Sequence, residues 1–166
     1  MLNLKHDVAL KGDLRKQAGF TLIELLIVIA IIAILAAIAI PQFLKYKEGA
    51  YLDSVRSDVK NAVTAMESYN AQNGYYPGQT ASGTGTIAVP AMTGPGSYNA
   101  DGTKVTTGTG GLFNISAGNT IQVTADTTCA NGYIVTGYNA NITAADTGGQ
   151  NNKVSYDSCT GQYTGF

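Results

Sequence analysis

The pattern of apolar and polar positions divides the chain into an apolar run, an amphipathic stretch and a glycine-rich remainder. Sixteen uninterrupted apolar residues extend from Leu25 to Ile40, and with the residues before them the segment from Phe20 to Ile40 is 21 residues long. That length suffices to cross a hydrocarbon core of about 30 Å at about 1.5 Å per helical residue. Because a buried strand rarely exceeds about eight residues, the segment predicts a helix that lies in lipid or in a protein assembly.

Pro41 follows the apolar run and predicts a kink rather than the end of the helix, since proline removes one backbone hydrogen bond and crowds the preceding turn. Beyond it, apolar residues recur at helical spacing on one face. The sequence Asn73-Gly74 is a typical helix end. We therefore expect one helix over residues 20–73, kinked near Pro41, with an apolar stripe formed by Leu52, Val55, Val59, Ala62, Val63, Met66 and Tyr69.

The remainder, residues 74–166, changes in composition. Seventeen of the 20 glycines and only six charged residues lie there, a composition typical of short strands and turns. Residues 78–111, rich in Gly, Ser and Thr, predict a long ordered surface loop with little core of its own. The fold class is α+β, with the long helix packed on a small antiparallel sheet whose strands are expected at Thr86–Val89, Thr120–Ala125, Tyr133–Tyr138 and Lys153–Asp157.

Two features at the start of the apolar run point to function. Glu24 places a carboxylate inside a segment suited to lipid, where ionisable residues are costly and usually functional. Residues 1–19 carry four Lys or Arg and two Asp, and they end at Gly19 directly before the apolar run. A secretory signal peptide would place its cleavage site after its apolar region, so this segment is of another kind.

Residues 16–28, KQAGFTLIELLIV, resemble the class III signal of type IV prepilins, and residues 36–43, AAIAIPQF, extend the resemblance. The match covers about a quarter of the chain, and the leader is longer than the shortest in the family. The resemblance implies the type IV pilin fold, removal of leader residues 1–19 by cleavage between Gly19 and Phe20, and N-methylation of Phe20. A membrane aspartyl peptidase carries out both steps in that family.

Glu24 is the fifth residue of the implied mature chain. The amine created on Phe20 is cationic, and in a low-dielectric bundle of helices it attracts a carboxylate far more strongly than in water. We expect Glu24 to pair with that amine on another subunit and to set the register in which a subunit docks, with Pro41 as a second assembly residue. The alternative is a glutamate near a helix end that only reaches the membrane interface.

Charge does not decide the orientation in the membrane, because four Lys or Arg lie in the leader and four follow within twenty residues of Pro41. The family resemblance implies a leader in the cytoplasm, a single pass through the inner membrane before assembly, and an extracellular pilus afterwards. The only two cysteines, Cys129 and Cys159, lie in the part expected outside and suit an oxidising compartment.

Cys129 and Cys159 allow one internal pairing, or they are two free thiols. A small glycine-rich domain has a limited apolar core, which a covalent link would support. Many type IV pilins carry a disulfide in this region, so the resemblance implies a disulfide that bounds residues 129–159.

The residue inventory argues against an enzyme. The only histidine, His6, lies in the expected leader, so the mature chain lacks a histidine for general-base catalysis or zinc binding. The glycine-rich stretches match no phosphate or dinucleotide motif, and no cofactor is expected. Four aspartates lack calcium-loop spacing and are interpreted as turn residues rather than metal ligands: Asp101, Asp126, Asp146 and Asp157.

Three further sequence patterns do not indicate a separate function. After Gly19 the chain has six Lys or Arg against nine Asp or Glu, so no sequence-specific nucleic-acid binding is expected. The tripeptides at Asn114 and Asn141 match the N-glycosylation pattern by chance. Aromatic residues on or just past the helix are interpreted as core and subunit interface rather than as an electron path.

The expected function is that of a structural subunit of a type IV pilus, assembled by helix packing from the inner membrane into a surface filament. The expected partners are identical subunits, the prepilin peptidase and the pilus assembly machinery. The alternative is a pseudopilin of type II secretion, which shares residues 19–24 and the long helix. A third class is an enzyme anchored by a single N-terminal helix. The sequence does not choose among adhesion, twitching motility and DNA uptake.

Overall fold

The structure is a computed structural model that describes residues 19–80, 85–106, 110–142 and 153–165. The expected leader therefore lies outside the described residues, except for Gly19. Within these residues, one helix, α1 (Leu22–Asn73), precedes seven strands: β1 (Val89–Thr93), β2 (Gly96–Tyr98), β3 (Phe113–Ile115), β4 (Asn119–Asp126), β5 (Gly132–Asn139), β6 (Lys153–Asp157) and β7 (Gln162–Thr164). A long helix and an antiparallel sheet confirm the predicted α+β class.

The chain divides into two units at Ile40 and Pro41. In the first unit, the described part is the apolar start of α1, and each large apolar residue from Leu22 to Ile40 exposes half or more of its surface. The mean hydropathy reaches 3.2 over eighteen residues. By length and composition this helix can cross a membrane, as the sequence predicts.

In the second unit, α1 packs against the sheet along the predicted apolar stripe. Val55, Val59, Ala62 and Met66 are buried, and Leu52 and Val63 pack against the same core. The helix approaches the sheet closely at Gly137 of β5. A Cβ there would lie 2.6 Å from Val59 Cγ2 and 2.9 Å from Val55 Cγ1. The missing side chain thus lets the helix approach the strand.

The helix ends where the sequence indicates. Gly74 adopts a φ of 79°, and its N–H donates to the carbonyl of Asn70 at 2.7 Å. Glycine reaches this left-handed conformation without steric cost and commonly terminates helices in this way.

The main sheet has five antiparallel strands in the order β1-β4-β5-β6-β7, and β2 pairs with β3 in a separate ribbon. The register is continuous between the central strands, where Asn119 faces Asn139 and Asp126 faces Gly132. Strands β4, β5 and β6 confirm three of the predicted strands. The separate ribbon and β7 were not predicted, because three-residue strands are too short to show an alternating pattern.

Two predictions for residues 78–111 are wrong. The first strand is not Thr86–Val89 but Val89–Thr93, and Pro90 lies within it beside an irregular register against β4. Proline is tolerated there because β1 is an edge strand. The described parts of the expected loop also contribute to the core through Ile87, Val89, Met92 and Tyr98. Isolated apolar residues among Gly and Thr gave no periodic signal.

Candidate functional site

Gly19 and Phe20 precede the first turn of α1. Phe20 is 92% exposed, and apart from Gly19 and its chain neighbours no atom of the described residues lies within 4 Å of the position that a Cβ on Gly19 would take. The peptide bond between them thus lies just outside the helix, with Phe20 open to solvent. The cleavage and methylation predicted here remain predictions.

Thr21 and Glu24 form a capping box at the start of α1. The Thr21 N–H and hydroxyl both donate to Glu24 Oε2, at 2.8 and 2.7 Å, and the Glu24 N–H donates to Thr21 Oγ1 at 3.2 Å. Such reciprocal bonds satisfy amide groups that the first helical turn leaves without partners. The carboxylate also lies at the positive end of the helix dipole. The role of Glu24 within its own chain was not foreseen, although the spacing Thr-x-x-Glu signals it.

The contacts that Glu24 makes within its own chain leave room for the predicted pairing with the amine of another subunit. Both bonds from Thr21 reach the same carboxylate oxygen, Oε2. An ionised carboxylate offers about four acceptor positions. Acceptor positions therefore remain on Oε1 for a cationic group from another chain, and the pairing with a Phe20 amine stays a prediction.

Pro41 lies inside α1, which continues for 32 residues beyond it to Asn73. The prediction that proline does not end the helix agrees with these bounds. The kink and the assembly role of Pro41 stay predictions.

The structure joins Cys129 and Cys159 in a disulfide with a Cα–Cα distance of 5.7 Å. The bond links the turn between β4 and β5 to the turn between β6 and β7. Gly132 lies beside it, since a Cβ on this residue would be 2.4 Å from Cys159 Sγ and 2.9 Å from Cys129 Sγ. The pairing agrees with the family resemblance rather than with two free thiols.

The aspartates interpreted as turn residues make turn contacts where they are described. Asp101 Oδ1 accepts from the N–H of Thr103, and Asp126 Oδ1 accepts from the N–H of Thr128, each at 2.9 Å. Asp157 Oδ1 accepts from the N–H of Cys159 at 2.8 Å. The fold brings Asp126 and Asp157 together beside Cys159, whose sulfur belongs to the disulfide. Asp146 lies outside the described residues.

A buried carboxylate at the junction of helix and sheet was not predicted from the sequence. Asp58 is 3% exposed and accepts three hydrogen bonds, from the N–H and hydroxyl of Ser116 at 2.7 and 2.9 Å and from Asn119 Nδ2 at 2.8 Å. Asn119 in turn accepts from Asn139 Nδ2 at 2.7 Å, and both asparagines are fully buried. Asp58 lies within the apolar stripe, beside Val59 and three residues after Val55. That position is the signal that could have revealed it.

A second polar contact ties the end of the helix to the sheet. Glu67 accepts hydrogen bonds from the hydroxyls of Tyr76, at 3.1 Å to Oε2, and of the fully buried Tyr133. Tyr133 also packs against Tyr76 and Tyr156, with ring centroids 5.2 and 6.2 Å apart. Burial, and then the bond to Glu67, raise the pKa of Tyr76 to about 12. The same causes raise the pKa of Tyr133.

These shifts predict a loss of stability at high pH. Tyrosine in the unfolded chain ionises near pH 10, whereas the folded hydroxyls keep their protons to higher pH. The unfolded state therefore binds fewer protons above about pH 10, and the free energy of unfolding falls from there to about pH 12. Denaturant unfolding of the detergent-solubilised chain at several pH values should show this slope.

A Tyr76→Phe, Tyr133→Phe double variant should flatten the slope, because neither residue can then ionise. The matched control is Tyr46→Phe, since Tyr46 is 75% exposed. An unchanged slope in the double variant would contradict the assignment to these two tyrosines.

A protein-family comparison matches residues 14–40 to the prokaryotic N-terminal methylation motif. The chain is 38% identical over 63 residues to the type II secretion system core protein G of Pseudomonas aeruginosa, covering 38% of this chain and 44% of that protein. It is 44% identical over 61 residues to the type IV major pilin protein PilA of Myxococcus xanthus, covering 37% of this chain and 28% of that protein.

A third relative is the fimbrial protein EcpB of Eikenella corrodens, 51% identical over 59 residues, which are 36% of this chain and 37% of that protein. The chain spans less than half the length of each of these three relatives. No solved structure gives a significant match.

Proposed function

We propose that the chain is a member of the type IV pilin family and that it is a structural subunit of a type IV pilus rather than an enzyme. The observation that carries the proposal is the methylation motif at residues 14–40, whose later part forms the start of a helix with exposed apolar residues on every side. A fully exposed apolar helix of this length is stable only in lipid or against other helices. A filament subunit uses both environments in turn.

Before assembly, the subunit is anchored in the inner membrane by residues 20–40, and its β-rich domain lies outside the cytoplasm. A prepilin peptidase removes residues 1–19 and methylates Phe20. The apolar helix then leaves lipid and packs against the helices of identical subunits. Repetition of the same heterologous contact produces an open helical array rather than a closed ring.

Glu24 supplies the polar contact in this packing. In the proposed arrangement, its carboxylate receives the methylated amine of Phe20 from a second subunit while Thr21 holds Oε2 in the capping box. The apolar side chains supply most of the contact area but do not fix the register. A charge pair in a low-dielectric bundle does so, because a displaced subunit leaves both charges unpaired.

A pseudopilin of type II secretion is the second candidate. The similarity to core protein G of this system is the observation that favours it. The two candidates share the helix and the motif, and they differ in the structure that the subunit builds. Deletion of the gene distinguishes them, since loss of surface filaments indicates a pilin and loss of protein secretion indicates a pseudopilin.

Mass spectrometry of subunits from sheared surface filaments tests the processing. We expect a chain that begins at Phe20 and carries one added methyl group, because the open segment at Gly19 and Phe20 gives a peptidase access. Cells without the prepilin peptidase are the control and should keep the full chain in the membrane. Finding only the full-length chain in cells with an active peptidase would overturn the proposal.

A further inference from the structure

A polar cleft of about 380 Å³ lies on the second unit, between α1 and the ribbon of β2 and β3. Its lining contains one carboxylate, two amides and two hydroxyls beside a single large apolar residue. The residues are Asp58, Asn61, Gly96, Ser97, Asn114, Ile115 and Ser116.

The carboxylate of Asp58 has unused accepting capacity. Of about four acceptor positions on an ionised carboxylate, two on Oδ2 are taken by the Ser116 N–H and Asn119 Nδ2, and one on Oδ1 by the Ser116 hydroxyl. One position on Oδ1 remains. All three donors are neutral, so the hydrogen bonds hold the buried charge without a counter-ion.

The lysine that lies beside the ribbon does not supply that counter-ion. Lys104 packs along Gly96, and its ammonium donates to the carbonyl of Pro95 at 2.9 Å. Within the part of the chain that the structure describes, Asp58 forms no ion pair. The cleft therefore fits a cationic group that brings several N–H donors, with the oxygens of Asn61 and Asn114 as neutral acceptors.

Lys45 offers such a group on the same chain. It is exposed on α1 and makes no ion pair among the described residues. Large apolar residues on both sides of it are also exposed, Leu44 at 51% and Tyr46 at 75%. Such a surface is expected to be covered by another chain, and in an open array of identical subunits the covering chain is a second copy.

We propose that the cleft at Asp58 receives the Lys45 ammonium of a second copy, as one of the contacts that hold the filament. The ammonium donates to Asp58 Oδ1 and to the amide oxygens at the mouth of the cleft. One surface projects a side chain and the other accepts it, which is a heterologous contact. The proposal rests on the proposed function, since it needs copies packed in an array.

A charge exchange tests the contact without disturbing the bonds of Asp58. Lys45→Glu and Asn61→Lys each place like charges together, so each should lower the yield of sheared filaments roughly tenfold or more. The double variant restores opposite charges and should recover the yield to within roughly twofold of the parent chain. A double-variant yield equal to the product of the two single effects would overturn the contact.

A matched control separates the contact from general effects of charge. Lys153→Glu changes an exposed lysine on β6, away from the cleft, and should leave the yield unchanged. If the parent chain forms filaments and Lys45→Glu and Asn61→Lys form them equally well, this contact alone is overturned. Absence of filaments from the parent chain would overturn the proposed function, and this contact with it.

Discussion

Replacement of Glu24 by alanine is expected to leave the chain expressed and inserted in the membrane but to remove most surface filaments. The cationic amine of Phe20 would enter the helix bundle without a partner, at a cost of about 3–5 kcal/mol for each contact. Since each 1.4 kcal/mol is about a tenfold change in an equilibrium constant, subunit addition weakens by more than about a hundredfold. Quantifying sheared filaments against the subunit left in the membrane measures the effect.

Alanine also removes the capping box, so a second variant is needed to separate two causes. Loss of a capping side chain costs about 0.5–2 kcal/mol and acts on the isolated helix. Glu24→Gln keeps an oxygen that can accept from the Thr21 N–H but removes the charge. We expect Glu24→Gln to assemble as poorly as Glu24→Ala, because losing the charge pair costs more than losing the cap.

Thr21→Ser provides the matched control at the same site. It keeps the hydroxyl that donates to Glu24 Oε2, so filament yield should stay near that of the parent chain. Normal yield from Glu24→Gln would show that capping, and not charge pairing, is what the carboxylate supplies. Normal yield from both Glu24 variants would remove Glu24 from the assembly mechanism.

The features predicted correctly from the sequence are those with long or periodic patterns. An unbroken apolar run fixes a helix by its length, and the stripe containing Val55 and Val59 fixes the face that meets the sheet. Strands β4 and β5 are each eight residues long, enough for alternation to show. The disulfide between the two cysteines was predicted from the family resemblance.

The features that were missed depend on contacts between distant residues. Strand β2 has three residues, and its partner β3 is separated from it by fourteen more. Nothing local in either segment specifies that pairing. Glu67 resembled an ordinary solvated residue, because its tyrosine partners lie 9 and 66 positions further along the chain.

Asp58 shows why a polar residue in an apolar stripe matters. Helical spacing placed it on the buried face. Its partners are distant in the sequence, since Ser116 lies between β3 and β4 and Asn119 is the first residue of β4. A carboxylate is seldom buried unless paired or bonded. Such a position predicts a specific polar contact, although the sequence does not reveal the donors.

Replacement of Asp58 by alanine should destabilise the second unit by about 2–4 kcal/mol. Hydrogen bonds to a charged group contribute about 1.5–3 kcal/mol each, and a buried donor left unpaired adds its desolvation cost. Ser116 is exposed and regains water, whereas the fully buried Asn119 keeps only its bond to Ser54 for that amide nitrogen, at 2.9 Å. The loss is therefore less than the sum of three bonds.

Chemical denaturation of the detergent-solubilised chain, followed by tyrosine fluorescence because the chain has no tryptophan, measures this change. The matched control is Asp53→Ala on the same helix. Asp53 pairs with Arg56 at 2.8 Å, but its side chain is 73% exposed, and surface pairs of this kind contribute about 0–1 kcal/mol.

Asp58→Asn discriminates between charge and shape at the same position. The amide keeps one accepting oxygen, but its NH₂ group then faces either the Ser116 hydroxyl or the donors from Ser116 and Asn119. Because the Ser116 hydroxyl can accept as well as donate, asparagine can keep all three partners in one orientation. Its hydrogen bonds lose the ionised acceptor that strengthens them, so asparagine should be destabilising, but less so than alanine. If Asp58→Asn matched the parent chain while Asp58→Ala did not, the space filled by the side chain would matter and the ionised carboxylate would not. The junction would then depend on neutral hydrogen bonds and packing, and not on a charge.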